Sequence, residues 1–348
     1  MIVLGIETTA HTFGIGILYE DDKTKEKKIL ANVKDTYTTK TAGLIPVKMA
    51  EHHLEVCDKI YNDALNKAKL TIKNLTIKDI DVISFSIAPG IAHSLRIGSV
   101  FAKSLALKYN KPLVGVNHCI AHLEIGRLLF PECKDPVLLY VSGANTQVIA
   151  YENGKYRIFG ETLDNGIGNL LDSFAREINL GFPGGPKIEE LAKKSKKYIE
   201  LPYVVKGMDV SFGGLLTNLK KKIKDIEKNE IEEKKLNYKI EDLAYSLQET
   251  AFSMLVEVSE RAMAHCDKNE LIIGGGVGCN KRLQEMCHIM CKERNAKFFA
   301  PPNEYLVDNG LMIAWLGLLM YKSGIRIKPE EAKIKPYERT DDVVVKWR

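Results

Sequence analysis

Two stretches of this chain follow one plan. IVLGIE, TTAHT and FGIGIL fill residues 2–18, and VLLYV, SGANT and QVIAY fill 137–151: in each an apolar strand, a short polar turn and a second apolar strand. β-Forming residues on both sides of a small-residue turn predict a hairpin. One hairpin constrains little. Two that begin about 135 positions apart predict a duplicated α/β fold of two lobes with a cleft between the turns. Turns of this composition present backbone N–H groups and hydroxyls with little steric cover, which suits an oxyanion such as phosphate or carboxylate.

A third element points to the same cleft. ELIIGGGVGCNKRLQEMC, residues 270–287, reads as a strand that runs into glycines and then a helix, so a helix N-terminus and three adjacent glycines stand beside whatever binds there. Position 279 is cysteine, so the dinucleotide pattern is not met, and no G-K-[ST] follows, so this is not a P-loop. With the two polar hairpins it suggests a nucleoside site where backbone comes close to a base or ribose.

VNHCIAHLEIGRLL, residues 116–129, sets His118 and His122 four apart. On a helix they share one face and come within reach of one ion. The same spacing also marks an ordinary half-exposed helix, and spacing alone leaves both readings open. The zinc-protease pattern H-E-x-x-H needs a glutamate after the first histidine, where this chain has Cys119; Glu124 follows the second histidine and does not replace it.

Composition narrows the classes. A chain of 348 residues, 45% hydrophobic and 27% charged, is long enough to bury a sizeable core in two domains or one bilobal unit. Apolar runs such as LLYV are too short to span a bilayer, and MIVLGIETT lacks the charged start of a signal peptide, so a cytoplasmic protein without membrane contact is expected. Seven cysteines without a C-x-x-C pair argue for reduced thiols rather than disulfides or a cysteine-zinc site. A charge of +5 is compatible with nucleic acid without requiring it. The lysine runs at 193–197 and 220–224 read as solvated helix faces, EKNEIEEKK at 227–235 as mixed-charge helix, and His52 and His53 as surface or partner contacts on an amphipathic helix.

The ordered set IETT, NHCIAH, YVSGANTQ, DNGIGNLLDSFAR, FPGGPKIEEL, DVSFGGL, IIGGGVGCN and LVDNG, with the closing RTDDVVVKWR, resembles the universal tRNA threonylcarbamoyladenosine transferases. These are the catalytic subunit of the archaeal and eukaryotic KEOPS complex and its bacterial counterpart. The resemblance runs from Met1 to about Trp347. It implies an actin-like, sugar-kinase-like and Hsp70-like α/β fold with duplicated ribonuclease-H-like lobes: residues 1–115, then 116–325 with a helical, lysine-rich insertion at 155–240, then a tail at 326–348 packing back on the first lobe. The helix in DNGLMIAWLGLLMYKSG is also expected to pack towards the first lobe.

The resemblance further implies a metal site of His118, His122, Tyr140 and Asp308, one ion per subunit. The phenol favours iron over zinc. On the residues alone, Tyr140 reads as a core aromatic of a strand, and Asp308 suits a helix N-cap, a role that metal binding does not exclude. The positions that hold threonylcarbamoyl-AMP in relatives fall on Tyr140, Val141, Ser142, Gly143, Ala144, Asp172, Gly185, Glu189 and Asn280. Asp172 and Glu189 suit ribose hydroxyls but read otherwise as solvated helix residues, and Asn280 as a cap. The implied reaction moves the threonylcarbamoyl group to the N6 amine of the adenosine 3′ of the anticodon in tRNAs reading ANN codons. No general base is assigned. Binding of ATP or AMP analogues is part of the same expectation, although Glu7 where kinases of this fold carry aspartate, and Ala144 where many relatives carry glycine, argue against ordinary ATP hydrolysis. Implied partners are tRNA, a kinase-like ATPase subunit, a small dimerising subunit and a regulatory subunit; in some archaea the kinase is fused C-terminally, and here it would lie beyond Arg348. Two alternatives stand beside this reading: a metal-dependent glycoprotein endopeptidase and a non-catalytic nucleotide-binding scaffold.

Overall fold

The computed structural model describes residues 1–39, 44–231 and 237–348. The chain begins with β1 (Ile2–Glu7), β2 (Thr12–Glu20), β3 (Lys27–Thr36), α1 (Pro46–Lys69), β4 (Val82–Ala88), α2 (Ala92–Tyr109), β5 (Leu113–Asn117) and α3 (His118–Leu129). It continues with β6 (Val137–Val141), β7 (Thr146–Glu152), β8 (Lys155–Glu161), α4 (Ile167–Glu177), α5 (Gly185–Ala192), β9 (Val205–Lys206), β10 (Asp209–Val210), α6 (Gly213–Ile231) and α7 (Ile240–His265). Last come β11 (Glu270–Gly274), α8 (Lys281–Glu293), β12 (Lys297–Phe299), α9 (Asn303–Leu306) and α10 (Gly310–Lys322).

The two hairpins seed two sheets of one design. The first has strand order β3-β2-β1-β4-β5 and the second β8-β7-β6-β11-β12. In both, the first three strands are antiparallel neighbours and the last two join in parallel. β1 and β6 are therefore equivalent, as are their following turns. Both are almost wholly buried, as near-continuous apolar runs require.

The segment expected as a helical insertion, 155–240, differs at its start. Lys155–Glu161 is β8, a strand of the second sheet that corresponds to β3. Its alternation places Tyr156 in the core while Lys155 and Arg157 face solvent, and the charges hide the strand in the sequence. Helices α4, α5 and α6 and the small β9–β10 ribbon follow. Residues 232–235 of the mixed-charge stretch lie outside the described residues.

Between the sheets lie α3 and α10. α10 is apolar around its circumference and buried nearly throughout, so it needs partners on all sides. It packs on β1, β2 and β4 of the first sheet and on α3, which in turn touches β11 and β6. The approach to β1 and β2 is close enough to demand glycine. A Cβ at Gly16 would stand 2.2 Å from the Leu311 nitrogen, and one at Gly5 2.2 Å from that of Ala314. The tail reaches both sheets: Ile327 bridges Leu113 and Lys335 bonds to Ile87, whereas Arg339 pairs with Glu161 and Arg348 with Asp135. No helix among the described residues is long and apolar enough to cross a membrane.

Candidate metal and substrate site

Three segments converge here: the start of α3, the end of β6 in the second sheet, and the loop before α10. Asn117 ends β5 and caps α3, its side-chain oxygen accepting the backbone N–H groups of Cys119 and Ile120 at 3.1 and 3.3 Å. His118 therefore opens the helix, and His122 lies one turn on along the same face, ring centroids 4.7 Å apart. Tyr140 stands near the end of β6 with its hydroxyl 3.1 Å from His118 Nε2. Asp308 arrives from the loop before α10, one carboxylate oxygen 3.5 Å from Nε2 of each histidine. The ligating atoms of His118, His122 and Asp308 all lie within 4.8 Å of one another. Asp308 is not the helix cap. Asn309 takes that role by accepting the Met312 N–H at 3.0 Å, which leaves the aspartate free to face the histidines.

The surroundings suit a cation. His122 is fully buried, and neither of its ring nitrogens has a hydrogen-bond partner. Such orphaned groups are costly unless something coordinates them. Glu7 and Asp308 place two carboxylates around two imidazoles. Burial opposes charge on His118, yet Glu7, Tyr140 and Asp308 together hold its pKa well above the usual histidine value. Burial pushes that of His122 down. Asp308 is likewise opposed by burial but is held well below the usual carboxylate range by the two imidazoles that face it at 3.5 Å. A cation held between the facing Nε2 atoms would take the place of the His118 proton, since a coordinating imidazole nitrogen carries none. Burial raises the Tyr140 phenol, so in the bare site it is a neutral donor.

Glu7 orients this arrangement and sequence reasoning assigned it no such part. Its carboxylate accepts from the Thr9 N–H at 2.6 Å and lies 2.9 Å from His118 Nδ1, aiming Nε2 at the cluster. The available signal was an acid ending an otherwise apolar strand. Lys34 of β3 was also missed: its ammonium donates to the backbone oxygens of Glu304 and Asp308 at 3.3 and 3.4 Å, tying the first sheet to the ligand loop. Glu124 faces away, committed to Arg127, Tyr156 and Arg348. It is no hydrolytic base.

The other expected residues gather along the second half of the cleft. The turn after β6 exposes Gly143 and Ala144, while Ser142 and Gly143 accept the N–H groups of Gly168 and Asn169 at 3.1 and 2.9 Å from the start of α4. Gly275, with φ of +91°, passes so close that a Cβ would stand 2.3 Å from the Val141 oxygen. Asp172 on α4 accepts the Gly184 N–H at 2.7 Å beside Gly185, which opens α5, and burial raises the Asp172 carboxyl. Glu189 on α5 accepts the Lys281 N–H at 3.0 Å. Asn280 caps α8 and also donates to Gln248 at 2.7 Å. These contacts link α4, α5 and α8 into one wall. His53, by contrast, is buried against Phe13 rather than on the surface.

Comparison with known proteins gives the family. Residues 28–315 match the family described as TsaD, tRNA N6-adenosine threonylcarbamoyltransferase. A protein of that name from Thermococcus sibiricus is 54% identical over 347 residues, covering the whole of both chains. A Methanocaldococcus jannaschii relative, named a probable bifunctional tRNA threonylcarbamoyladenosine biosynthesis protein, is 49% identical over all of this chain and 60% of its own length. Among solved structures, HypF of T. kodakarensis has a TM-score of 0.61 at 15% identity, over 93% of this chain and 48% of that one, a likeness of fold alone. With two sheets of one strand order the fold is the bilobal actin-like α/β class, and the chain belongs to the tRNA N6-adenosine threonylcarbamoyltransferases, transferases of tRNA processing.

Proposed function

We propose that the chain takes the threonylcarbamoyl group from threonylcarbamoyl-AMP and places it on the N6 amine of the adenosine 3′ of the anticodon in tRNAs reading ANN codons. The observation that carries the site is the convergence of His118, His122 and Asp308 from segments about 190 residues apart. These three, with the Tyr140 phenol beside them, would hold one metal ion, iron in preference to zinc because of the phenol. Bound there, the ion supplies a fixed anchor for substrate oxygens and Lewis-acid stabilisation of developing negative charge.

The chain's own residues provide the rest. The turn at Val141, Ser142, Gly143 and Ala144 offers backbone N–H groups to the phosphate. Asp172 and Glu189 accept from the ribose hydroxyls, and Gly185 and Asn280 shape the wall behind them. Attack forms the bond from N6 to the carbamoyl carbon, breaks the bond from that carbon to the phosphate oxygen and releases AMP. An aromatic amine is a weak nucleophile, so positioning is a large part of the acceleration. Cytoplasmic work alongside a kinase-like ATPase, a small dimerising subunit and a regulatory subunit belongs to the same proposal; the name of the bifunctional relative supports a second activity acting with this one. The test is single-turnover transfer from labelled threonylcarbamoyl-AMP to unmodified tRNA by the chain with those subunits. Label in the adenosine 3′ of the anticodon supports the reading, and label confined to free threonine contradicts it.

A further inference from the structure

In the turn after β6 the Ser142 N–H is spent on the Asn145 carbonyl at 2.8 Å, so an oxyanion there falls to the exposed Gly143 and Ala144. The segment between β8 and α4 fixes their position. Gly168 and Asn169 donate to the carbonyls of Ser142 and Gly143, the Ile167 N–H to the Thr146 hydroxyl at 2.8 Å, and the Thr162 N–H to the Thr146 carbonyl at 3.0 Å. Gly166 lies against the turn itself: a Cβ there would stand 2.4 Å from the Gly143 oxygen and 2.5 Å from that of Ala144. Asp164 anchors this segment in its turn. One carboxylate oxygen accepts the N–H groups of Asn165 and Phe212 at 2.7 and 2.9 Å, the other the Gly213 N–H at 2.7 Å and the Ser211 hydroxyl at 2.6 Å. The carboxylate thus closes the N-terminus of α6, where an anion is favoured. Burial opposes its charge, yet these donors hold its pKa at about 2, so it carries no proton to give at any working pH.

We propose that Asp164 is a positioning residue for the adenylate phosphate: by tying the 162–166 loop to the start of α6, it holds Gly166 against the turn and keeps the N–H groups of Gly143 and Ala144 set for the ligand. The proposal rests on the transfer reading above. Asp164→Asn breaks the anchor without removing bulk, because whichever way the amide turns, its NH2 group faces backbone donors. Leu163 keeps its own 2.8 Å bond to the Val210 carbonyl, so the loop stays attached at one end while the other loosens. A turn that must be ordered when its ligand arrives binds more weakly. That cost is the same for ground and transition states, so affinity falls while the saturated rate holds.

The experiment compares the wild-type complex with Asp164→Asn and with Asp21→Asn as control. Asp21 is also a carboxylate with a pKa of about 2 and accepts the N–H groups of Lys23 and Thr24 at 2.8 Å, but in the β2–β3 turn, at the end of β2 away from the cleft. Affinities for threonylcarbamoyl-AMP and AMP, the saturated single-turnover rate against pH, bound metal and thermal unfolding are measured on each. Asp164→Asn is expected to weaken both nucleotides at least about tenfold, with saturated rate and metal content within about threefold of wild type and the pH–rate profile unchanged in shape. Asp21→Asn should bind both as wild type does. Nucleotide affinity within threefold of wild type in folded Asp164→Asn, an equal loss in Asp21→Asn, a fall in saturated rate or metal content that matches the fall in affinity, or a new limb in the pH profile overturns the positioning role. If Asp164→Asn does not fold, Ser211→Ala, which deletes one bond to the carboxylate, decides: about threefold weaker nucleotide binding supports the role and unchanged binding overturns it. A wild-type complex that binds no threonylcarbamoyl-AMP would sink the transfer reading first, a result distinct from a variant that binds it as well as wild type.

Discussion

Replacing Gly16 by alanine tests how the packing of α10 positions the metal ligand. The added Cβ would meet the Leu311 nitrogen at 2.2 Å and the Gly310 carbonyl carbon at 2.4 Å, both backbone atoms with no rotamer to turn away. Reaching the 3.4 Å of ordinary contact requires α10 to retreat by about 1.2 Å. Overpacking costs about 1–3 kcal/mol, and an obstructing backbone puts this case at the upper end. With unfolding entropy near 2.1 cal/mol/K per residue over 348 residues, about 3 kcal/mol lowers Tm by roughly 4 °C. Asp308 lies two residues before the helix, so the same retreat pulls its carboxylate from the histidines and weakens metal binding. Calorimetry and metal titration should show both effects. Gly214→Ala is the control, since nothing lies within 4 Å of its Cβ. Equal melting and equal metal affinity in Gly16→Ala and Gly214→Ala would refute the reasoning.

Other expectations follow from particular contacts. Lys34→Met removes the two bonds from β3 to the Asp308 loop and should weaken metal affinity about tenfold, read by titration with a competing chelator. Arg348→Ala leaves the fully buried Glu124 with Arg127 alone and the exposed Asp135 with Lys268, and should cost about 1 kcal/mol in denaturant unfolding. His53 stays neutral when folded, with its pKa near 4, but takes a proton near 6.5 when unfolded. Unfolded chains therefore bind more protons, and stability should be full above pH 6.5 and fall as pH drops to about 4, by at most about 3 kcal/mol. His53→Phe keeps the packing on Phe13 and should flatten that part of the stability–pH curve.

The paired hairpins were legible because buried β1 and β6 leave runs of β-formers that little else produces, and their recurrence carried the duplicated sheet order with it. β8 was not, because Lys155 and Arg157 on its open face mask the inward Tyr156. His118 and His122 share a face by helical period, a local property that spacing encodes. Their meeting with Asp308 is a tertiary fact, and no period in the sequence reports it; only the resemblance to a known family brought the segments together in advance. One-residue ambiguity also misplaces roles: in Asp308–Asn309 either side chain suits a cap, and the backbone assigns it to Asn309. His52 and His53 both read as surface residues from the amphipathic pattern of their helix; His52 is half-exposed and bonded to Asp35 at 2.8 Å, and only His53 turns into the core. Lys34 lacked a motif, and Glu7, although inside IETT, showed no partner in the sequence, since each acts on a group brought to it by the fold.

The central claim is that one ion joins α3 to the loop before α10. Element analysis of the purified wild-type protein beside His122→Ala and Asp308→Ala tests it most directly, with unfolding curves to show that both variants remain folded. The account predicts close to one metal ion per chain in the wild type and loss from both variants, because each removes a donor from the same cluster. Metal retained at wild-type stoichiometry in either folded variant would contradict it, and would return the two histidines to the role of helix-face residues.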